Sequence, residues 1–215
     1  VTAKSTHRAA ALELARRDPV LAAMLGAVGP PVLGPPHGTH FEALVRSVLY
    51  QQLAGAAAAA IHTRLSAALR GDITPGALIA LGEPRLRAVG LSANKAASLV
   101  DLSGKVLEGA VDLDPGGLAR APDEEVIARL STVRGIGRWT AQMFLLFQLR
   151  RLDVWPAGDL GVRRGYGLAW RVPMPDEREL GSLGERFSPF RSVAAWYCWR
   201  ACELYGGARQ SAVTA

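Results

Sequence analysis

Cysteine is scarce, and the little there is excludes a thiolate metal centre. Cys198 and Cys202 are the two thiols in 215 residues. A spacing of four sets them on one helix face, with no partners to complete a tetrahedral site. They read as reduced thiols packed along a helix. Long apolar runs are missing too. The most apolar N-terminal region is broken by four prolines between positions 29 and 36, so nothing approaches the roughly 20 residues that span a bilayer. Lys4, Arg8, Glu13 and Arg16 interrupt any signal-peptide pattern. A cytoplasmic protein with no membrane partner is expected. There is no repeat, heptad run or low-complexity tract beyond a few terminal residues.

What is present is a chain long enough to bury its own core, as one domain or two closely packed lobes. The net charge is +6 with a pI near 9.9, and 22 of the 25 basic residues are Arg, the side chain best suited to bidentate phosphate contact. A polyanionic partner fits this balance. So does a plain bias towards arginine codons.

Helical signals run through the whole length. Residues 9–25 make one helix-like segment, followed by the Pro-rich connector 29–38. Thr39-His40-Phe41-Glu42 has the capping-box pattern, and Phe41, Leu44, Val45, Val48 and Leu49 then repeat at helical spacing. This amphipathic helix runs into Tyr50-Gln51-Gln52-Leu53, and 56–69 reads as the next. Ser92 caps a helix over 93–108, where Ser92, Asn94 and Lys95 either meet a phosphate or form an ordinary exposed basic start. Pro122-Asp123-Glu124-Glu125 opens another helix with acidic residues in its first turn, as the dipole favours. The last helix, 190–205, carries Trp196, Tyr197 and Trp199. The fold class is all-α.

The chain is organised around 130–149, LSTVRGIGRWTAQMFLLFQL: a helix, a tight turn and a second helix. Gly135 and Gly137 flank Ile136, which lets the backbone take positive φ and approach a ligand closely. The turn's free N–H groups then sit at a helix start, which attracts phosphate, with Arg134 and Arg138 on either side. Without its surroundings the same pattern is an αα-hairpin whose glycines let two helices pack. About twenty residues on, Asp159 follows the loop Val154-Trp155-Pro156-Ala157-Gly158 and precedes a basic helical segment. Asp159 reads as a helix N-cap, as a catalytic carboxylate, or as both.

Together GIGRWTA at 135–141 and PAGD at 156–159 resemble the helix-hairpin-helix (HhH-GPD) DNA glycosylase superfamily, in particular its 3-methyladenine DNA glycosylase II (AlkA-like) branch. The resemblance covers about residues 10–206. It implies one glycosylase unit over 1–215 with a cleft between two helical lobes. One lobe is 46–150, with the hairpin at 126–149, and the other is 1–45 plus 151–215. Some forty residues are too few for the extra N-terminal β domain of related enzymes, so that domain is expected to be absent. Asp159 takes the catalytic position. Trp139, Met143, Tyr50 and Trp199 take the base pocket, and Gly135, Gly137, Arg134, Arg138 and Thr140 contact DNA. Gln52 or Leu53 is the residue that enters the DNA stack, although the family often has Ser where Ala54 or Gly55 stands. The main-chain carbonyls of Ser131, Val133 and Ile136 match those that bind a monovalent cation, Na or K. No cofactor is required, and the iron–sulfur branch needs four clustered cysteines that this chain lacks.

The resemblance also bears on mechanism. Bifunctional members carry a lysine two residues after the second hairpin glycine, and here that position is Trp139. A monofunctional hydrolase without lyase activity is therefore expected, acting as a monomer on double-stranded DNA with alkylated bases in base excision repair. Such an enzyme must flip the nucleotide out of the duplex and offer it a stacking wall. An indole face favours a cationic alkylpurine over a neutral base by roughly 0.5–2 kcal/mol, and a carboxylate near C1′ stabilises oxocarbenium character as the base leaves. Two alternatives remain open at this point. A non-catalytic helix-hairpin-helix module would keep Gly135 and Gly137 but not need Asp159. A glycosylase for hypoxanthine, uracil or an oxidised purine would differ in pocket shape.

Overall fold

The computed structural model describes residues 3–206, and every regular element among them is helical. Backbone contacts group the chain into two compact units, one of the residues up to Gly34 together with those from Arg150, and the other Pro35–Leu149. The whole of the third helix falls in the second unit, where the sequence reading had divided the lobes at 45/46. Its buried stripe packs on helices of that same unit.

The first unit holds α1 (Ala3–Arg17), α2 (Pro19–Val28), α10 (Leu160–Trp170), α11 (Glu177–Gly184) and α12 (Arg191–Tyr205). The single helix expected over 9–25 is two helices. Asp18 turns the chain, its Oδ1 accepting the amides of Val20 and Leu21, and Pro19 takes the first helical position of α2, where its missing N–H costs nothing. The core gathers Leu14, Leu21, Val162, Tyr166, Phe187 and Tyr197. Helices α10 and α12 cross closely at Gly165, where an added Cβ would stand 1.8 Å from the Cys198 carbonyl oxygen. Cys198 itself is buried, which pushes its thiol pKa far up, and Cys202 Sγ donates to Gly161 O. Both thiols are packing groups of α12.

The second unit holds α3 (His40–Tyr50), α4 (Gly55–Ala68), α5 (Pro75–Ala88, broken at Gly82), α6 (Ala93–Leu107), α7 (Pro115–Arg120), α8 (Asp123–Ser131) and α9 (Arg138–Met143). The capping box of α3 forms as read: Glu42 N donates to Thr39 Oγ1, and Thr39 N to Glu42 Oε2. Phe41, Leu44, Val45, Val48 and Leu49 are all buried, so α3 lies in the core, against α4 and α6. The second hairpin helix differs from the uninterrupted α-helix expected. After Met143 it widens into a π-helical stretch, Phe144–Gln148. The wide turn buries Phe144, Leu145, Leu146 and Gln148 while leaving Phe147 exposed, a pattern that a 3.6-residue period does not give. Among the described residues no helix is long and apolar enough to cross a membrane.

The α10–α12 crossing gives the most direct test of the first unit. Gly165→Ala should lower stability by at least about 1–3 kcal/mol through overpacking, read as a lower urea midpoint at unchanged slope. An unchanged midpoint would show that the helices can part freely.

Candidate active site

The hairpin turn between α8 and α9 uses its two glycines differently. Gly135 takes φ +75°, and a Cβ there would sit 2.5 Å from Ser98 Oγ. Gly137, the N-cap of α9, is extended at φ −96° and ψ 179°, and a Cβ there meets nothing within 4 Å. So only the first glycine takes the positive φ that the sequence suggested for the turn. The second is not required by the protein's own packing, and its bare backbone is open to a ligand.

The two arginines beside the turn already have partners. Arg138 makes a two-pronged pair with Glu124, 2.9 Å from Nη1 and 2.5 Å from Nη2, which holds the Glu124 carboxyl below its ordinary range. Arg134 Nη2 donates to Asn94 Oδ1 at 3.2 Å, and its amide donates to Asp101 Oδ2 at 2.7 Å. Asp101 also pairs with Lys105 at 2.9 Å. Burial works against the Asp101 carboxylate, but these donors outweigh it and keep the pKa low. For either guanidinium to hold a phosphate it must exchange or share an existing contact. Both Arg138 and Glu124 are exposed, so their pair is worth little and exchanges easily.

A cavity of about 650 Å³ opens in the second unit, and six of the residues singled out from sequence line it: Tyr50, Gln52, Gly135, Trp139, Thr140 and Met143. Trp139 stands on the first turn of α9 with 48% of its surface exposed, a broad indole face at the cavity. Thr140, its neighbour, is buried and accepts a hydrogen bond from Gln51. Its side chain is thus engaged within the protein. Arg46 covers one face of Tyr50, with the guanidinium carbon 3.9 Å from the ring centroid. Gln52 takes φ +55° in the turn after α3, and both it and Leu53 are exposed.

Asp159 belongs to the first unit and is the N-cap of α10, its Oδ1 accepting the Val162 amide at 2.8 Å. Trp199 donates its indole N–H to the same oxygen at 2.9 Å. Gly161 makes room for this: a Cβ there would lie 2.8 Å from Trp199 Cδ1 and 3.0 Å from Asp159 Oδ1. The loop ahead of Asp159 is anchored along its length. Asp153 receives Nε and Nη2 of Arg191, both at 2.9 Å. Ser192 Oγ accepts the Val154 amide and donates to Arg151 O, and Trp155 is buried with its N–H on Leu180 O. Asp159 is therefore cap and cleanly held carboxylate at once, and Trp199 stands on the carboxylate itself.

Sequence reasoning passed over Arg46 and Gln51 and gave Lys95 a surface role. Lys95 in fact turns inward, donating to Leu49 O and Gln51 O, and burial lowers its pKa. The signal for Gln51 was its place at the end of an apolar helix, but the adjacent glutamine offered the same signal.

A family model described as the HhH-GPD superfamily base excision DNA repair protein matches residues 45–187. The chain is similar to DNA-3-methyladenine glycosylase 1 of Schizosaccharomyces pombe, 38% identical over 167 residues, which is 76% of this chain and 73% of the relative. Among solved structures it is similar to the S. pombe 3-methyladenine DNA glycosylase in complex with abasic DNA, with 35% identity, a TM-score of 0.79, and coverage of 90% of this chain and 96% of that one. A DNA-3-methyladenine glycosidase from Bacillus halodurans gives 31% identity and a TM-score of 0.81, covering 89% and 88% of the two chains.

The two hairpin glycines make a paired test. Gly135→Ala should cost about 1–3 kcal/mol, since it combines a left-handed residue with a clash on Ser98. Gly137→Ala should cost less than about 1 kcal/mol, the ordinary difference between cap residues. Equal losses in thermal unfolding would contradict this division.

Proposed function

This chain belongs to the HhH-GPD superfamily of base excision DNA repair proteins, and we propose that within it the protein is a monofunctional DNA glycosylase that releases alkylated bases of the 3-methyladenine kind by hydrolysis. The observation that carries the reading is the Asp159 carboxylate, held on Oδ1 by the Val162 amide and the Trp199 indole, in a chain whose hairpin offers a tryptophan where a Schiff-base lysine would stand. Both donors hold that oxygen in place, as a group that must face a developing charge requires.

The steps follow from the lesion's own chemistry. Alkylation at N3 or N7 leaves a purine positively charged, so its bond to C1′ breaks to give a neutral base and a sugar with oxocarbenium character. Asp159 stabilises that developing charge. Water then adds at C1′ and gives up a proton, leaving an abasic site. No general acid is needed, because the leaving group is already cationic. Trp139 supplies the stacking wall for the flipped base, with Met143 and Tyr50 beside it. Selectivity from this wall is modest, so easier extrusion and a weaker glycosidic bond supply the rest. Gly137 gives the duplex backbone its closest approach, and Arg134 and Arg138 add charge there.

A monovalent cation is part of the same proposal. The donor set suits one: the carbonyls are neutral oxygens, that of Ser131 at the end of α8, where the helix dipole is negative, and those of Val133 and Ile136 in the turn that follows, Val133 O already accepting the Ile136 amide. The turn also attracts a cation already, since Lys105 Nζ donates to Thr132 O. When bound, the ion would add positive charge beside a phosphate.

Asp159→Asn isolates the charge, because Asn caps a helix as well as Asp does. The variant should keep its thermal stability yet release alkylated base at least about 10²-fold more slowly. Wild-type product should be an intact strand that breaks only with later alkali. Gly137→Ala should weaken duplex binding while leaving the fold unchanged. Undiminished release by Asp159→Asn would remove the role given to that carboxylate, and duplex binding with no release across a panel of alkylated bases would remove the enzymatic reading.

A further inference from the structure

The turn after α3 is held from two sides by groups that the proposed chemistry does not use. Lys95, in the first turn of α6, donates Nζ to Leu49 O at 2.6 Å and to Gln51 O at 2.7 Å. These are the last carbonyls of α3, which no residue of the helix itself can satisfy and where the dipole favours a cation. Gln51 donates Nε2 to Gly135 O at 3.0 Å and to Thr140 Oγ1 at 3.2 Å. One contact caps the helix. The other ties its end to the hairpin.

Immediately after the residue that both clamps hold, Gln52 takes φ +55°, a left-handed conformation that residues with a side chain rarely adopt without support. Gln52 and Leu53 project from the turn into solvent. The carbonyl that Gln51 holds is that of Gly135, the one hairpin residue with positive φ, whose conformation is itself closed in by Ser98. The turn and the hairpin thus share one hydrogen-bonded frame.

We infer that Lys95 and Gln51 are positioning residues for the stack-entering turn: they hold Gln52 and Leu53 at a fixed place relative to the hairpin, so that docking of the hairpin on the DNA backbone and insertion of the turn occur as one event. The inference rests on the glycosylase reading above, because only a protein that extrudes a nucleotide needs a rigid element to fill the gap. Lys95 lies outside the lining of the cavity, whereas Gln51 is one of its lining residues, so Lys95 separates the positioning role from contact with the base most cleanly. A lysine suits the capping role because its ammonium can satisfy two carbonyls at once from a single stem.

The test uses the full chain and a duplex with one 7-methylguanine beside a 2-aminopurine, whose fluorescence rises as the stack next to it opens. The reference variant is Gln52→Ala with Leu53→Ala, which removes the projecting side chains. Lys95→Met and Gln51→Leu should each slow single-turnover base release by about ten-fold or more and flatten the fluorescence rise, as the reference does. Adding Lys95→Met to the reference should lower the rate no further, because Lys95 acts only through the turn. If Lys95→Met does not fold, Gln51→Leu carries the same comparison. Losses that multiply with the reference, a slowed release with an intact fluorescence rise, variants as fast as wild type, or a reference that behaves as wild type would each overturn the inference. Absence of release by the wild type would count against the glycosylase reading instead, and the fluorescence comparison would then decide the positioning roles alone.

Discussion

Asp159 Oδ1 accepts both the Val162 amide in the first turn of α10 and the indole N–H of Trp199, and much of the first unit exists so that these two bonds can coexist. The helix start fixes the carboxylate along the chain, and the indole fixes it from α12. For both to reach one oxygen, α10 and α12 must lie close, which Gly165 permits at the crossing and Gly161 permits beneath Trp199. The loop before Asp159 is fastened to α12 by Asp153 with Arg191 and by Ser192. A carboxylate meant to face a developing positive charge has to be ionised and still before the charge appears, since reorganising at that moment adds to the barrier. The cap and the indole supply the fixed position.

The second unit solves a different problem, that of presenting several short features in fixed relation. A turn with one obligate glycine, a turn with a left-handed glutamine, and an exposed indole are each weak elements alone. Lys95 caps the end of α3 and Gln51 ties that end to the hairpin, both through main-chain carbonyls, and the buried stripe of α3 anchors them to the core. The charged groups at the hairpin are arranged in the opposite spirit. Arg138 rests on Glu124 in an exposed pair that a phosphate can displace at little cost.

The all-helical class, the capping box of α3 and the hairpin were legible because each is a local pattern: an i, i+3 cap, an apolar stripe, a Gly-Ile-Gly turn. Asp159 was legible twice over, as a cap before a helix and as the residue after a Pro- and Gly-bearing loop. The break at Asp18 and Pro19 was written in the sequence and overridden by the apolar residues around it. What could not be read depends on distant partners. Trp199 meets Asp159 across forty positions, Arg138 meets Glu124 across fourteen, and Lys95 turns from a surface to a cap because α3 ends beside it. Which of two adjacent glutamines points outward goes with the hydrogen bonds of Gln51 to the hairpin and the positive φ of Gln52, neither of which local sequence announces. The π-helical stretch follows from burying four residues in five, which no local propensity announces.

The central claim is that a fixed carboxylate, with no nucleophilic amine, cleaves the glycosidic bond by hydrolysis. The most direct measurement is to react the protein with a duplex bearing one alkylated purine in the presence of borohydride, scoring free base and covalent protein–DNA adduct together. Release of base with no adduct is the expected result. A trapped adduct would mean that an amine of this chain attacks the sugar, and would contradict the role given to Asp159 and the reading of Trp139.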